Sequence, residues 1–455
     1  MTSPRLKPFL EQEDYIKDRV SNGVEQNRKG WFTLRITDSE KNAVSGAKVT
    51  IRQKNHAFRL GANLFALREM ESEEKTLEYE RLFAGCFNLA TLPFYWKDIE
   101  PTRGVKRYAK DSAKIYRRPA IEYCLEFCEK YGIEPKAHCL DYDAFHPEWL
   151  DPGDLNTIRR LLYERFEELS RLFADRIPSW EVTNELLFPP SPSHTVHFFQ
   201  NDTLEWDFRT ADRLFPKNRL ILNEAADNIW PYFNGNRNGY YMMIERALNK
   251  GCRIDSIGMQ FHMTYAEETA ANAKRMGCAP DNIYKVLDRF ADFGLPVQIT
   301  ETSIPSYRNT EEDEDVQAEI LSYIYSIFFS HPCMEGIIYW DMADGYEWMP
   351  LKLGFVRKDL TPKKAYSVIR DLFHKTWVTN LELHTGDAGD CRFKAFYGDY
   401  EIVAEKDGKE TSYDLRLLKN GKKSFELTFW PAVRRYRRRI TSFRHRTTGK
   451  KNSAI

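Results

Sequence analysis

The sequence predicts an α/β chain centred on a (β/α)8 TIM barrel, with β-rich segments before and after it. Three observations predict this. Eight short apolar runs alternate with amphipathic stretches through the middle of the chain, the signature of βα units and a parallel sheet. The two flanks lose that alternation and instead carry period-two apolar residues and turn glycines. The chain has 455 residues, 42% of them hydrophobic, enough for a full barrel core and accessory structure.

The eight strand candidates are His56 to Asn63, Leu89 to Tyr95, Pro135 to Leu140, Ser179 to Thr183, Arg219 to Asn223, Ser256 to Phe261, Pro296 to Thr300 and Gly336 to Trp340. Helical spacing of apolar residues predicts helices over Ile121 to Tyr131, Ile158 to Phe173 and Val316 to Phe329. Gly132, Gly251 and Gly294 follow helical stretches, where a left-handed cap is wanted. The expected organisation is a lead-in over 1–29, a β-rich segment over 30–58, the barrel over 59–377, a second β-rich segment over 378–440 and a basic tail over 441–455. The two β-rich segments are expected to pack as one small β-sandwich. Trp377 and Trp430 are read as packing residues of that unit rather than sugar platforms.

Lys plus Arg is 67 and Asp plus Glu is 67, so no overall field favours nucleic acid or anionic lipid. No stretch has the length and apolarity of a membrane span. Met1 to Val20 is polar, which predicts a cytoplasmic chain, or a secreted one from which a leader has been removed. The eight cysteines are scattered without paired C-x-x-C motifs, so buried free thiols are expected and no metal site. No glycine-rich nucleotide loop is present, so no cofactor is implied. The run from Arg434 to Lys451 is basic and is read as a solvated edge or tail.

The chemistry lies at two strand ends. Ser179-Trp180-Glu181-Val182-Thr183-Asn184-Glu185 ends the fourth candidate strand, and Val297-Gln298-Ile299-Thr300-Glu301 ends the seventh. In a barrel such positions line the active face. Two facing carboxyl groups suit glycosidic cleavage, one protonated to donate to the leaving oxygen and one ionised to attack the anomeric carbon. The alternative is a structural role for both as ion-pair partners.

From about Arg59 to Trp377 the chain resembles glycoside hydrolase family 10, the xylanase family. Trp180 to Glu185 resembles the family's Trp-Asp-Val-Val-Asn-Glu segment, and Ile299-Thr300-Glu301 its nucleophile segment. Trp96 to Gly104 resembles its Trp…Glu-Pro…Gly motif, His138 with Pro147-Glu148-Trp149 its third-strand motif, and Gly258 to His262 its Gly-Ile-Gln-x-His. Trp340 and Trp348 match its two eighth-strand tryptophans. The resemblance implies a retaining β-glycosidase acting on β-1,4-xylosidic linkages of an oligo- or polysaccharide, with Glu185 as acid/base and Glu301 as nucleophile. It implies further that Asn184 donates to the sugar 2-hydroxyl and that His138 and Gln260 lie near the same sugar. His262 should hydrogen-bond Glu301 and help keep it ionised. Trp340 and Trp348 should offer faces to sugar rings.

The departures from the family pattern cluster on the non-reducing side of the expected cleft. The family's sugar-gripping Asn and Lys are replaced by Leu92 and Tyr95, its Trp-His pair by Tyr142 and Asp143, and the aspartate after the nucleophile by Ser303. Tyr95, Tyr142 and Asp143 therefore join the expected substrate-binding residues. The glycone preference is expected to differ accordingly. Two other readings are a degenerate carbohydrate-binding barrel and a retaining β-glycosidase of other sugar specificity.

Overall fold

The computed structural model describes residues 3–189, 194–264, 277–308 and 310–430; the basic tail lies outside them. Two compact units emerge, one from Met1–Asn27 with Phe58–Thr376 and one from Arg28–Ala57 with the chain from Trp377 onward.

The second unit begins with β1 (Lys29–Thr37) and β2 (Lys48–His56). The first unit then supplies β3 (Arg59–Asn63), β4 (Leu89–Pro93), β5 (Glu134–His138), β6 (Ser179–Asn184), β7 (Arg219–Glu224), β8 (Ser256–His262), β9 (Val297–Ser303) and β10 (Met334–Tyr339). These eight run parallel and close in order, β10 pairing with β3. Their burial is two-sided, as a helix-covered barrel demands: all six residues of β6 and all seven of β9 are buried. Trp180 anchors the core with no exposed surface, its indole N–H donating to the Ile177 carbonyl at 3.0 Å. Truncating such a side chain costs about 3–5 kcal/mol.

The helix Ile121–Tyr131 follows its apolar stripe and ends on Gly132 at φ 67°, a left-handed cap that a side chain would strain. The longer helices Leu155–Phe173 and Glu311–Ser330 begin at Asp154 and Thr310, whose side chains accept from backbone N–H groups in the first turn.

Two boundaries differ from expectation. The first barrel strand starts at Arg59, because His56 ends β2 in the other unit. The N-terminal residues are not a mere lead-in. Helix Glu13–Asn27 packs against Glu311–Ser330 so closely that a Cβ at Gly23 would meet the Ser330 carbonyl oxygen at 2.5 Å. Arg5, 3% exposed, donates to the Pro305 carbonyl at 2.6 Å and pairs with Asp313 at 3.4 Å. Those contacts lie some three hundred residues apart in sequence, so no local pattern announces them.

In the second unit the C-terminal segment adds β11 (Asn380–His384), β12 (Asp390–Phe396), β13 (Gly398–Lys406), β14 (Lys409–Leu417) and β15 (Ser424–Thr428). The strands form a three-stranded sheet, β12-β1-β15, and a four-stranded sheet, β11-β2-β13-β14. Alternate residues of both sheets, among them Phe32, Leu34, Val49, Ile51, Tyr400 and Ile402, meet in one core, which makes a small β-sandwich. Trp377 is buried, and Trp430 is half exposed.

Candidate active site

The C-terminal ends of the barrel strands surround a cavity of about 510 Å³. Its lining includes His138, Asn184, Glu185, Gln260, His262, Glu301, Trp340, Trp348, Tyr95 and Tyr142. Ten of the eleven expected residues thus come together. The eleventh, Asp143, does not. A short 3-10 turn over Asp143–Phe145 carries its carboxylate away, where it accepts from the Thr195 backbone N–H at 2.8 Å and from the Thr195 hydroxyl at 2.5 Å. Asp143 braces the loop after β6 instead of facing a sugar.

Glu185 and Glu301 share one donor. Gln260 Nε2 lies 2.7 Å from Glu185 Oε1 and 3.2 Å from Glu301 Oε1. Glu185 sits just beyond β6 at φ 58°, a left-handed backbone rare for a residue with a side chain and a form of strain that clusters at functional sites. Tyr142 donates its phenolic proton to Glu185 Oε2 at 2.5 Å. Burial and the Glu185 charge both push the Tyr142 phenol up, so it stays a donor. Asn223 at the end of β7 ties the floor together. Its Nδ2 reaches Asn184 Oδ1 at 2.7 Å and Glu301 Oε1 at 3.4 Å, while Thr300 donates to its Oδ1. With the Asn184 oxygen so engaged, its amide N–H groups are what this side chain, in the cavity lining, has to offer a ligand.

The expected support of Glu301 by His262 is not what the structure shows. The Ser303 hydroxyl donates to the Trp340 carbonyl, so it accepts from His262 Nδ1 at 3.0 Å. The ring proton is then on Nδ1, and a bare Nε2 faces Glu301 Oε2 at 3.6 Å. Burial pushes His262 down to about 4, which keeps the ring neutral. Burial pushes Glu301 up to about 8 against the pull of His138, with the Glu185 and Glu181 charges adding to the rise. Burial therefore favours the protonated form of the Glu301 carboxyl.

A stability effect follows. A carboxyl raised in the folded state contributes stability fully below the ordinary carboxyl range and loses it as pH rises through about 8. Glu301→Gln should match the wild type near pH 4 and exceed it at pH 9 by up to about 5 kcal/mol in denaturant titrations. Equal stability at pH 9 would contradict the raised carboxyl.

Beneath the cavity lies a buried charged row. Glu181 accepts from Lys136 and His138, and His138 Nε2 lies 3.1 Å from the Tyr95 hydroxyl. Burial opposes the Glu181 charge, but Lys136 and His138 outweigh it and hold the carboxyl down at about 2. Trp340, 4% exposed, meets Phe65 edge to face at 4.9 Å and His138 at 5.3 Å, so its faces are largely spent on protein. Trp348, 44% exposed, retains surface for a ring.

One other buried cluster has metal-ligand character: Asp141, His197 and Asp207. Arg159 donates to His197 Nδ1 at 3.3 Å, which places the ring proton on Nε2, 3.3 Å from Asp207 Oδ1. The imidazole thus joins the carboxylate by a hydrogen bond, linking the loop after β6 to helix Thr203–Leu214. Among the described residues no helix is long and apolar enough to cross a membrane.

The profile of glycosyl hydrolase family 10 matches residues 64–372, most of the barrel unit. The chain belongs to glycosyl hydrolase family 10. It is 25% identical over 336 residues to endo-1,4-beta-xylanase B of Thermotoga neapolitana, covering 70% of this chain and 88% of that protein. It is 24% identical over 410 residues to the anti-sigma-I factor RsgI6 of Acetivibrio thermocellus, covering 88% of this chain but 48% of that protein. An endo-1,4-beta-xylanase 2 of Arabidopsis thaliana matches at 23% over 85% of this chain and 33% of its own length. The chain thus spans half or less of these last two relatives. Xylanase 10B of Thermotoga maritima superposes with a TM-score of 0.56 at 23% identity, over 70% of this chain and 96% of that one. The xylobiose complex of xylanase 10B from Thermotoga petrophila RKU-1 gives the same TM-score and identity.

Within this family 10 barrel, several site residues escaped sequence reasoning. Asn223 and Glu224 end β7 as an apolar strand running into Asn-Glu, the same signal that marks Glu185. Glu224 nevertheless points away from the cavity. It accepts from the Ala225 N–H at 2.8 Å, Asn228 at 2.9 Å and the Leu187 N–H at 3.1 Å, and burial pushes it up to about 7. It positions the segment that carries Glu185. Phe65, Arg117, Arg118 and Phe145 also line the cavity, from loops that carry no strand-end signal.

Proposed function

We propose that this chain is a retaining β-glycosidase that cleaves β-1,4-xylosidic linkages of xylan-derived or decorated xylo-oligosaccharides. The shared Gln260 donor carries the reading. With 2.7 and 3.2 Å from one nitrogen to the two carboxylates, the bonded oxygens can be at most about 6 Å apart, a limit that supports the close carboxyl pair of retaining enzymes, about 5–5.5 Å, over the about 6.5–9.5 Å of inverting ones. The names of the xylanase relatives support the choice of linkage.

Glu185 donates its proton to the leaving oxygen as Glu301 attacks the anomeric carbon and forms a covalent glycosyl-enzyme. Glu185 then takes a proton from the water that releases the sugar. Burial raises the Glu301 carboxyl, and the positive charge growing at the anomeric carbon favours its ionised, attacking form. Asn184 directs an amide N–H to the sugar 2-hydroxyl, an interaction that strengthens in the transition state.

A second reading, a carbohydrate-binding barrel without turnover, draws on the raised Glu301 carboxyl and on the replaced residues Leu92 and Tyr95. A panel of aryl β-glycosides and xylo-oligosaccharides separates the two, wild type beside Glu301→Ala. Cleavage of the xylose-based members, abolished by the substitution, supports the glycosidase. Sugar binding without cleavage of any member supports the binding barrel.

A further inference from the structure

The cavity ends in a wall. Phe65 after β3, Tyr95 after β4 and Trp340 after β10 form one buried cluster, with Tyr142 and Phe145 packed on it. Tyr95 stacks on Phe145 at 4.1 Å and carries the Arg118 guanidinium over its ring at 4.4 Å. The guanidinium lies 5.0 Å from the Phe65 ring centre and 5.7 Å from that of Phe145. Its Nε donates to Asp98 at 2.6 Å, and the neighbouring Arg117 grips both oxygens of Asp341 at 2.8 Å. Asn63 holds Asp341 from the other side at 2.6 Å. Two ion pairs and an aromatic cluster thus fix this wall, and Phe65 and Tyr95 are 1% and 6% exposed.

The wall's place relative to the carboxylates decides what it blocks. The leaving group must lie on the Glu185 side, toward the Phe188, Ala225, Ala226 and Asp227 lining. The unit bonded to Glu301 then lies over His138 and against Trp340, with its C4 edge toward Tyr95, Phe65 and Arg118. A β-1,4-linked chain continues from that edge. Among the described residues the place of a second unit is closed: Leu92 has no exposed surface, and the Tyr95 hydroxyl pairs with His138 at 3.1 Å. The Arg118 guanidinium in the lining offers N–H donors suited to a terminal hydroxyl.

We infer that the site accepts a single sugar on its glycone side, so that the enzyme removes sugars one at a time from the non-reducing end of its substrate. This rests on the glycosidase reading above and adds the direction and step length of attack.

The test is a time course of wild-type enzyme on β-1,4-xylohexaose labelled at its reducing end, beside an aryl β-xyloside. The expected result is free xylose from the first time points, with labelled pentaose, then tetraose, then triose in sequence. Unlabelled xylobiose or longer products at the first turnover would overturn the single-unit pocket and leave the glycosidase reading intact. Hydrolysis of the aryl xyloside with no attack on the hexaose would also overturn it, because a chain end must fit. Failure on both substrates would defeat the glycosidase reading and this inference with it. Phe145→Ala, which thins the wall without touching either carboxylate, should add unlabelled xylobiose to the products.

Discussion

Glu185→Ala should keep near-wild-type kcat/KM on aryl β-xylosides whose leaving groups depart without protonation, with kcat lowered because the second step loses its base, and should lose about 10²–10⁴-fold in kcat/KM on poor leaving groups. Glu301→Ala should lose both. The asymmetry follows from where each carboxyl acts. A dinitrophenolate needs no proton, so the first step no longer depends on Glu185, whereas every substrate needs a nucleophile beneath the anomeric carbon. The common tether to Gln260 makes the comparison sharp, since each variant leaves that amide bonded to the other glutamate. Parallel loss in the two variants across all leaving groups, or exchange of the two patterns, would refute the assigned roles. Steady-state kcat/KM over a graded aryl series is the measurement.

The second large effect concerns the barrel floor. Glu181 is fully buried between Lys136 and His138, and the Lys136 ammonium depends on it. Glu181→Gln strands the Lys136 ammonium in the core and should cost about 3–5 kcal/mol. Denaturant titration of the barrel transition would read it. Adding Lys136→Met should recover much of the loss, because the penalty is the uncompensated charge rather than the missing bond. A loss under about 1 kcal/mol, or no recovery in the double variant, would contradict this account of the floor. The pH dependence has a definite sign. The Glu181 carboxyl is held down, so its contribution is present above the ordinary carboxyl range and fades as pH falls toward about 2.

The barrel was legible because its signals are local. Each parallel strand is a short apolar run, and caps such as Gly132 fall where the periodicity stops. The N-terminal helices were not legible as part of that unit, since Gly23 and Arg5 act through contacts with Ser330, Pro305 and Asp313. The strand-end rule picks out Glu185 and Glu301, which both line the cavity, but would equally admit Glu224. Only the backbone N–H groups gathered around Glu224 turn it from the cavity, and sequence does not print them. Tyr142 and Asp143 show the same limit at single-residue scale: adjacent in sequence, one meets Glu185 and the other Thr195. The raised Glu301 carboxyl was beyond sequence too, because it follows from burial among groups brought together only by the fold.

The central claim is double displacement through Glu301, and the anomeric form of the first product tests it most directly. Proton NMR of fresh hydrolysis of an aryl β-xyloside should show the β-anomer of xylose first, with the α-anomer growing only by mutarotation. An α-anomer at the earliest time points would mean inversion and would contradict the account.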